Sequence, residues 1–312
     1  MKVLVTGANG FIGRAVLNQL NVIKDLQPVG GVRRAAGFTG ATVVEVGDLT
    51  AQTVWSFALA GADVIVHLAA RVHVMHDTEV DPLTAFRAVN VAGTLNLARQ
   101  AAAAGVKRFL FISSVKVNGE STQPGRAFND TDAPNPHDAY GQSKHEAEQG
   151  LRQLSADTGM EVVIIRPPLV YGPGVKANFA ALMRVVQRGW PLPLGAVHNN
   201  QRSLVALSNL ADFIVNCITH PQAANQTFLV SDGQDLSTAE LVRGMACAAG
   251  VPARFLPVPV WALQAGASLL GKGNEMQRLC GNLQVDMSKA RSLLGWVPPI
   301  SVEEGLRRAM AV

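Results

Sequence analysis

The chain of 312 residues is 48% hydrophobic and 16% charged. That composition supplies a core for two ordinary domains or one large one, and it excludes disordered, collagen-like and low-complexity chains. Lys and Arg number 27 against 23 Asp and Glu, a net +4. With 5% aromatics and no block of like charge, this argues against a nucleic-acid surface and leaves anionic small molecules open.

In chain order, strands are predicted over Lys2–Thr6, Val29–Val32, Thr42–Val46, Asp63–His67, Arg108–Ser113 and Val162–Arg166. Helical patterns lie between them at Phe11–Leu20, Ala51–Ala60, Pro82–Ala104 and Ala139–Ala156. Continuous apolar strands separated by helices predict an α/β fold with a doubly wound parallel sheet covered on both faces. The texture changes at the Pro/Gly-rich run Arg166–Gly174. Helices are then expected at Ala177–Arg188, Thr238–Ala249 and Val260–Leu270. Leu204–Ala206 and Thr227–Val230 could pair back with the main sheet or form a small one. The expected division is one part over 1–170 and a smaller, interleaved α/β part over 171–312.

Cys217, Cys247 and Cys280 stand about thirty residues apart without a CxxC or a Cys/His cluster. No metal site or disulfide framework is expected, and a reduced, cytoplasmic setting fits. The first residues do not read as a signal peptide. The uncharged stretch Phe255–Gly271 contains Pro257, Pro259 and Gly266 and falls short of the roughly 20 apolar residues of a membrane span. A buried or cleft-lining helix is expected there, with peripheral membrane contact as the alternative.

Thr6-Gly7-Ala8-Asn9-Gly10-Phe11-Ile12-Gly13 joins the first strand to the first helix. Gly7 permits the tight turn, Gly10 lets phosphate approach the backbone, and Gly13 packs helix against strand. The helix start offers N–H groups and a positive dipole end to a pyrophosphate. A glycine triplet alone is weak; between a strand and a helix of a parallel sheet it reads as a dinucleotide cradle. About twenty residues on, NAD binding usually wants a carboxylate for the ribose hydroxyls. This chain offers Arg33 and Arg34. A guanidinium at Arg33 suits a 2′-phosphate, so NADP is expected ahead of NAD; an arginine merely stacked on adenine would allow NAD as well. Asp48 and Leu49 could meet the adenine edge, or Asp48 could cap the next helix.

Tyr140 and Lys144 stand at i and i+4 on one helix face. A nearby ammonium stabilises phenolate and so suits a Tyr to proton transfer. Ser113 and Ser114 end the preceding strand, and ligands in such sheets sit outside the carboxyl ends of strands. Ser114 could bond the oxygen that Tyr140 protonates, or only initiate a turn.

Taken with His67-Leu68-Ala69-Ala70, Asn90-Val91-Ala92-Gly93-Thr94, Arg166-Pro167, Tyr171-Gly172-Pro173-Gly174, Asp286–Ala290 and Leu293–Trp296, the chain resembles the extended short-chain dehydrogenase/reductases of the nucleotide-sugar epimerase/dehydratase type over nearly its whole length. The resemblance implies a Rossmann-type fold. It implies cofactor contacts from Gly7, Gly10, Phe11, Ile12, Gly13, Leu68, Ala69, Ala70 and Pro168, with Asn90 as a support beneath the dinucleotide. Lys144 would hold the nicotinamide ribose, Tyr140 would transfer the proton, and Ser114 would orient the sugar C4 oxygen. Asn178, Arg202 and Arg278, with Asn282 in a looser match, would grip the nucleotide diphosphate. Without the resemblance, Arg202 would read as a solvated loop charge.

Departures narrow the reaction. Family dehydratases place Thr-Asp-Glu where this chain has Ser114-Val115-Lys116, so dehydratase chemistry is excluded. Val117-Asn118-Gly119 replaces Val-Tyr-Gly, Leu169 stands where many epimerases carry Asn, and Asn209 where Asp is common. The run Arg166–Lys176 resembles bacterial proteins that reduce a UDP-4-keto-6-deoxy-N-acetylhexosamine in cell-surface polysaccharide (lipopolysaccharide) synthesis. With Arg33, that favours a 4-keto reductase over a UDP-glucose or UDP-N-acetylglucosamine 4-epimerase; a non-catalytic NADP sensor is the third reading. The resemblance also implies a homodimer paired through Pro82–Ala104 and Ala139–Ala156, whose apolar faces could equally be core only. No nucleic-acid partner and no integral membrane segment are expected.

Overall fold

The computed structural model describes residues 1–35, 41–72, 81–271 and 273–311. Nine strands are β1 (Lys2–Thr6), β2 (Gln27–Val32), β3 (Val43–Glu45), β4 (Val64–His67), β5 (Arg108–Ile112), β6 (Glu161–Arg166), β7 (Leu169–Tyr171), β8 (Leu204–Ala206) and β9 (Thr227–Leu229). The helices are α1 (Phe11–Leu20), α2 (Ser56–Leu59), α3 (Pro82–Phe86), α4 (Thr94–Ala103), α5 (Ala139–Thr158), α6 (Ala177–Gln187), α7 (Leu207–Thr219), α8 (Thr238–Ala248), α9 (Val260–Leu269), α10 (Gly273–Cys280), α11 (Ser288–Leu294) and α12 (Val302–Met310). A π-helical segment, Arg87–Gly93, joins α3 to α4.

Seven strands form one parallel sheet in the order β3-β2-β1-β4-β5-β6-β9. The Rossmann-type doubly wound α/β fold expected from the sequence is present. Side chains alternate across the pleat. Val3, Val5, Val66 and Leu110 face α1, α7 and α11; Leu4, Ile65, Phe109 and Phe111 face α2, α4 and α5. With helices on both faces, the central strands are buried throughout. Strand order reverses between β1 and β4, which opens the crevice used for ligands in such sheets.

After β6, β7 and β8 form a separate two-stranded parallel sheet. It packs with α6, α8 and α12 around a third core that contains Tyr171, Phe179, Met245 and Leu306. Of the two segments whose pairing the sequence left open, Leu204–Ala206 forms this small sheet and Thr227–Leu229 returns to the main one beside β6.

Several expectations need correction. Residues 51–60 are not one helix: Thr50 and Thr53 bond each other and Thr53 Oγ1 donates to the Asp48 carbonyl, which holds a turn until α2 begins at Ser56. Val260–Leu269 is helical, but it is not a buried helix. Ala267 is its only buried residue, and Trp261 is 72% exposed and Leu269 89%.

Candidate active site

The cradle is built by close approach. Gly7 has φ +67°, and a Cβ there would lie 2.8 Å from the Ala69 nitrogen. A Cβ on Gly13 would lie 2.2 Å from the Gly7 carbonyl oxygen. Only glycine lets the first turn of α1 sit this near the end of β1. Gly10 precedes α1 with no side-chain cap, and the first turn holds no acidic residue. Phe11 and Ile12 stay half-exposed above buried Gly13. The start of α1 is therefore open to an anion.

Beneath the cradle a buried polar relay ties the ends of β1 and β4 to the start of α4. Thr6 Oγ1 and His67 Nδ1 are 2.7 Å apart, His67 Nε2 and Thr94 Oγ1 2.9 Å, and the Ala69 N–H donates to Thr6 Oγ1 at 3.3 Å. Burial, assisted by the Lys144 charge, lowers the His67 pKa to about 3, so its ring is a neutral hydrogen-bonding strut. Leu68, Ala69 and Ala70 continue from it as a half-buried edge. Gly93 and Thr94 have structural reasons as well. A Cβ on Gly93 would lie 2.7 Å from Leu49, so this glycine admits the loop bearing Asp48 and Leu49.

Asn90 is buried within the π-helical segment. Its Nδ2 donates to the Arg71 carbonyl and to Ser143 Oγ, each at 3.0 Å, and its Oδ1 accepts from the Arg71 N–H at 2.8 Å. It thereby fixes the loop that leaves β4 onto α5.

α5 begins with Asp138, whose carboxylate caps the Gly141 N–H at 2.7 Å. Tyr140 stands in its first turn, partly exposed, with its ring edge-on to Phe86. Burial and the Asp138 charge raise the Tyr140 pKa above its ordinary value. Lys144 is buried one turn on. Its Nζ donates to the Ile112 carbonyl at 2.8 Å and lies 4.5 Å from the Phe111 ring centroid and 5.9 Å from that of Tyr140. Burial, opposed by Glu148, brings the Lys144 pKa down to about 7. Ser114 follows the end of β5, and its Oγ accepts the Lys116 N–H at 3.2 Å. The turn it starts meets α5 directly, since a Cβ on Gly141 would lie 2.9 Å from the Lys116 carbonyl. The Val115 N–H donates to the Pro167 carbonyl at 3.0 Å, next to buried Pro168. Ser114, Tyr140 and Lys144 thus rise from elements packed against one another at the carboxyl end of β5.

Two charged groups here were not singled out in the sequence. Glu148 is buried and accepts from Ser113 Oγ at 2.5 Å and from the Arg166 guanidinium at 2.9 and 2.5 Å; Arg166 also donates to Asn118 Oδ1 at 3.0 Å. Burial would raise the Glu148 pKa, but these partners outweigh it and hold it below the ordinary range. The second group is a chain of alternating charges. Lys116 pairs with Asp138 and, at 3.0 Å, with Glu120, and Arg278 Nε lies 3.5 Å from Glu120. Asp138 before Tyr140 carries a legible helix-cap signal; Glu120 and Arg152 stand four residues from Lys116 and Glu148, but the other partners, Asp138 for Lys116 and Ser113 and Arg166 for Glu148, lie far off in sequence and carry none.

The remaining sequence-derived residues divide. Arg202 is half-buried, with Nη1 donating to the Gly281 carbonyl at 3.1 Å, and Glu120 and Arg278 both act on its charge. It is therefore no solvated loop charge. Asn282 Oδ1 accepts the Gln201 N–H at 2.7 Å and so holds the Arg202 segment. Asn178 is exposed at the start of α6. Arg33 and Arg34 are exposed, and Arg33 Nε lies 3.6 Å from the Asp48 carboxylate. No cluster of metal-ligating side chains occurs among the described residues.

Comparison with known proteins agrees with this geometry. Residues 3–231 match the model of the NAD dependent epimerase/dehydratase family. The chain is similar to a UDP-glucose 4-epimerase of Vibrio cholerae, 52% identical over 98% of this chain and 93% of that protein. It is also similar to an N-acetyl-alpha-D-glucosaminyl-diphospho-ditrans,octacis-undecaprenol 4-epimerase of Escherichia coli O157:H7, 28% identical over 99% of this chain and 94% of that one. Among solved structures, a UDP-N-acetylglucosamine 4-epimerase from Bacillus cereus superposes with a TM-score of 0.80 at 20% identity, covering 99% of this chain and 96% of the other. A glycine cradle at the sheet's switch point, a Tyr–Lys helix beside it and a family match over most of the chain lead to one assignment: this protein is an enzyme of the NAD-dependent epimerase/dehydratase family.

Proposed function

We propose that the protein is a nucleotide-sugar 4-epimerase that inverts C4 of a UDP-hexose or UDP-N-acetylhexosamine. The observation that carries this reading is the 52% identity to the Vibrio cholerae UDP-glucose 4-epimerase over 98% of the chain. It reverses the preference for a 4-keto reductase drawn from the sequence. The Arg33 argument for NADP also loses force, because the Asp48 carboxylate beside it would oppose a 2′-phosphate. We take NAD, retained through the cycle, as the cofactor.

The glycine contacts and the uncapped start of α1 fit a dinucleotide pyrophosphate. When bound, its nicotinamide would accept hydride from C4 and return it to the opposite face. In this reading Phe11, Ile12 and Gly13 hold the pyrophosphate, Leu68 to Ala70 and Pro168 line the cofactor, and Asp48 and Leu49 meet its adenosine end. Tyr140 takes the proton of the C4 hydroxyl and later gives it back. Burial and Asp138 favour the neutral phenol, so the proton transfer needs a cation nearby, and Lys144 supplies it in its protonated form, which a pKa of about 7 makes available at and below neutral pH. Ser114 donates a hydrogen bond to the C4 oxygen as charge develops there. Arg202 and Arg278, with Asn178, receive the diphosphate. The part over 171–312 binds the sugar nucleotide and the part over 1–170 the cofactor. The protein acts in the cytoplasm as a homodimer, for which a groove lined by Arg87, Ala88, Val91, Leu95 and Glu146 speaks.

The test is turnover. The purified protein, with its copurifying dinucleotide identified, is given UDP-glucose and UDP-N-acetylglucosamine, then NADPH with a UDP-4-keto-6-deoxy sugar. Redox-neutral interconversion of the UDP-sugars supports the epimerase. NADPH consumption without interconversion overturns it in favour of the reductase, and dinucleotide binding with no turnover favours a sensor. A separate arm offers polyprenyl-diphosphate N-acetylglucosamine, the carrier named for the Escherichia coli relative.

A further inference from the structure

The least expected feature of the molecule is an apolar helix turned outward. Val260 and Leu263 pack against the third core, and buried Ala267 lies on the same side of the helix, as i, i+3, i+7 spacing allows. Trp261 and Leu269 point away from that core at 72% and 89% exposure, and Leu270, which caps the helix, is 75% exposed. The patch continues along the chain into the neighbouring loops. Leu256 is exposed one turn before α9, and the Leu192 N–H donates to the Arg254 carbonyl, which brings exposed Trp190 to the same edge. No charged residue interrupts the sequence between Arg254 and Lys272.

The surroundings of this patch are basic. Across 167–285 eight Lys and Arg stand against five acidic residues, and cations lie directly at the patch: Arg243 is 5.3 Å from the Phe255 ring centroid, and Arg254 immediately precedes Phe255. Lys176, Arg184, Arg188, Arg243 and Arg254 are exposed. Arg188 lies 5.4 Å from the Trp190 ring centroid, so a cation and an interfacial aromatic stand side by side. Apolar side chains with tryptophan, rimmed by cations, match the boundary of an anionic bilayer, where acyl chains meet headgroups. No helix among the described residues is long and apolar enough to cross a membrane, so the contact would be peripheral.

We propose that the face formed by α9 and the loops at Trp190 and Leu256 docks the enzyme on the surface of an anionic lipid bilayer. The face is continuous with the substrate end of the candidate site. α10 packs on α9 and carries Arg278, which reaches Glu120 and, through Lys116, the start of the Tyr140 helix. A docked enzyme would hold its sugar-binding end near the lipid surface.

The proposal goes beyond the epimerase reading and does not depend on it, because docking is read without turnover. Full-length protein is sedimented with phosphatidylcholine vesicles and with phosphatidylcholine–phosphatidylglycerol vesicles. Binding is expected only to the second and should fall as salt rises. The triple variant Trp261→Ser, Leu269→Ser, Leu270→Ser should lower the vesicle partition at least about tenfold through lost apolar burial, and Arg188→Glu with Arg254→Glu should lower it similarly. Both sets sit at exposed positions outside the catalytic cluster, so melting temperature and turnover of a UDP-sugar in solution should hold. Failure of the wild type to sediment with the anionic vesicles overturns the proposal. So does equal binding to both vesicle types, or binding unchanged in the triple variant. Self-association of the wild type that the triple variant abolishes, without vesicle binding, also overturns it and assigns the face to a second copy of the chain.

Discussion

At the scale of single residues, the cost of burying Lys144 is the most testable quantity. Its pKa falls from 10.5 to about 7 because burial outweighs the opposing Glu148 charge. Below pH 7 the folded and unfolded chains both carry this proton, and the folded chain bears the full cost of the buried ammonium. Between about 7 and 10.5 the unfolded chain holds a proton that the folded chain has released, so stability rises with pH. Lys144→Met should therefore melt higher than the wild type below pH 7, with the gap narrowing as pH climbs toward 10.5; scanning calorimetry across that range checks it, and a gap that widens contradicts it. Tyr140→Phe removes the proton-transfer group and should cost roughly two to four orders of magnitude in turnover, with the fold unchanged by circular dichroism; near-normal turnover would remove Tyr140 from the mechanism. Tyr140, Lys144 and Ser114 were legible because one helical turn and one strand end bring them together. Glu148 was not, because it lies on α5 and its main partner Arg166 at the end of β6, and only the packing of that helix on the sheet joins them.

At the scale of elements, the approach of α1 to β1 has no slack. Gly13→Val would drive side-chain atoms into the Gly7 carbonyl, which already stands 2.2 Å from the position of a Cβ. A loss of about 1–3 kcal/mol from overpacking is expected in chemical denaturation, together with weakened dinucleotide binding in titration calorimetry; full affinity in the variant would show that the cradle is not where the cofactor sits. The central strands were readable because a sheet covered on both faces needs unbroken apolar runs. The 51–60 segment was misread because its apolar residues imitate a helical face, while the Thr50–Thr53 bonds that make it a turn are ordinary in composition. α7 escaped notice because its core-facing residues, Leu210, Phe213, Ile214 and Cys217, sit in a run nearly without charge, which masks the period. The exposure of α9 was not legible, because apolarity suits a buried or cleft-lining helix as well as a surface one: it says what a surface prefers and not whether anything covers it.

At the scale of the whole molecule, the groove along Arg87–Gly93, α4 and α5 bears on assembly. Ala88 is exposed there, beside the bidentate Arg87–Glu146 pair. If this face joins two copies, light scattering should report a dimer for the wild type and a monomer for Ala88→Glu, since a new carboxylate would be buried without a partner; a monomeric wild type ends the idea. The overall architecture was legible from the alternation of strands and helices. The route of the chain through it was not, because pairing partners for three-residue strands such as β8 and β9 depend on what the rest of the sheet leaves open.

That route has a consequence for how the protein is made. The outermost rung beside β6 is β9, contributed only after the chain has left to build the small sheet and come back. During synthesis the backbone donors and acceptors along Ile164–Arg166 must wait bare until Leu229 emerges from the ribosome. A nascent chain stalled in that interval would offer a sticky, unzipped margin to its neighbours.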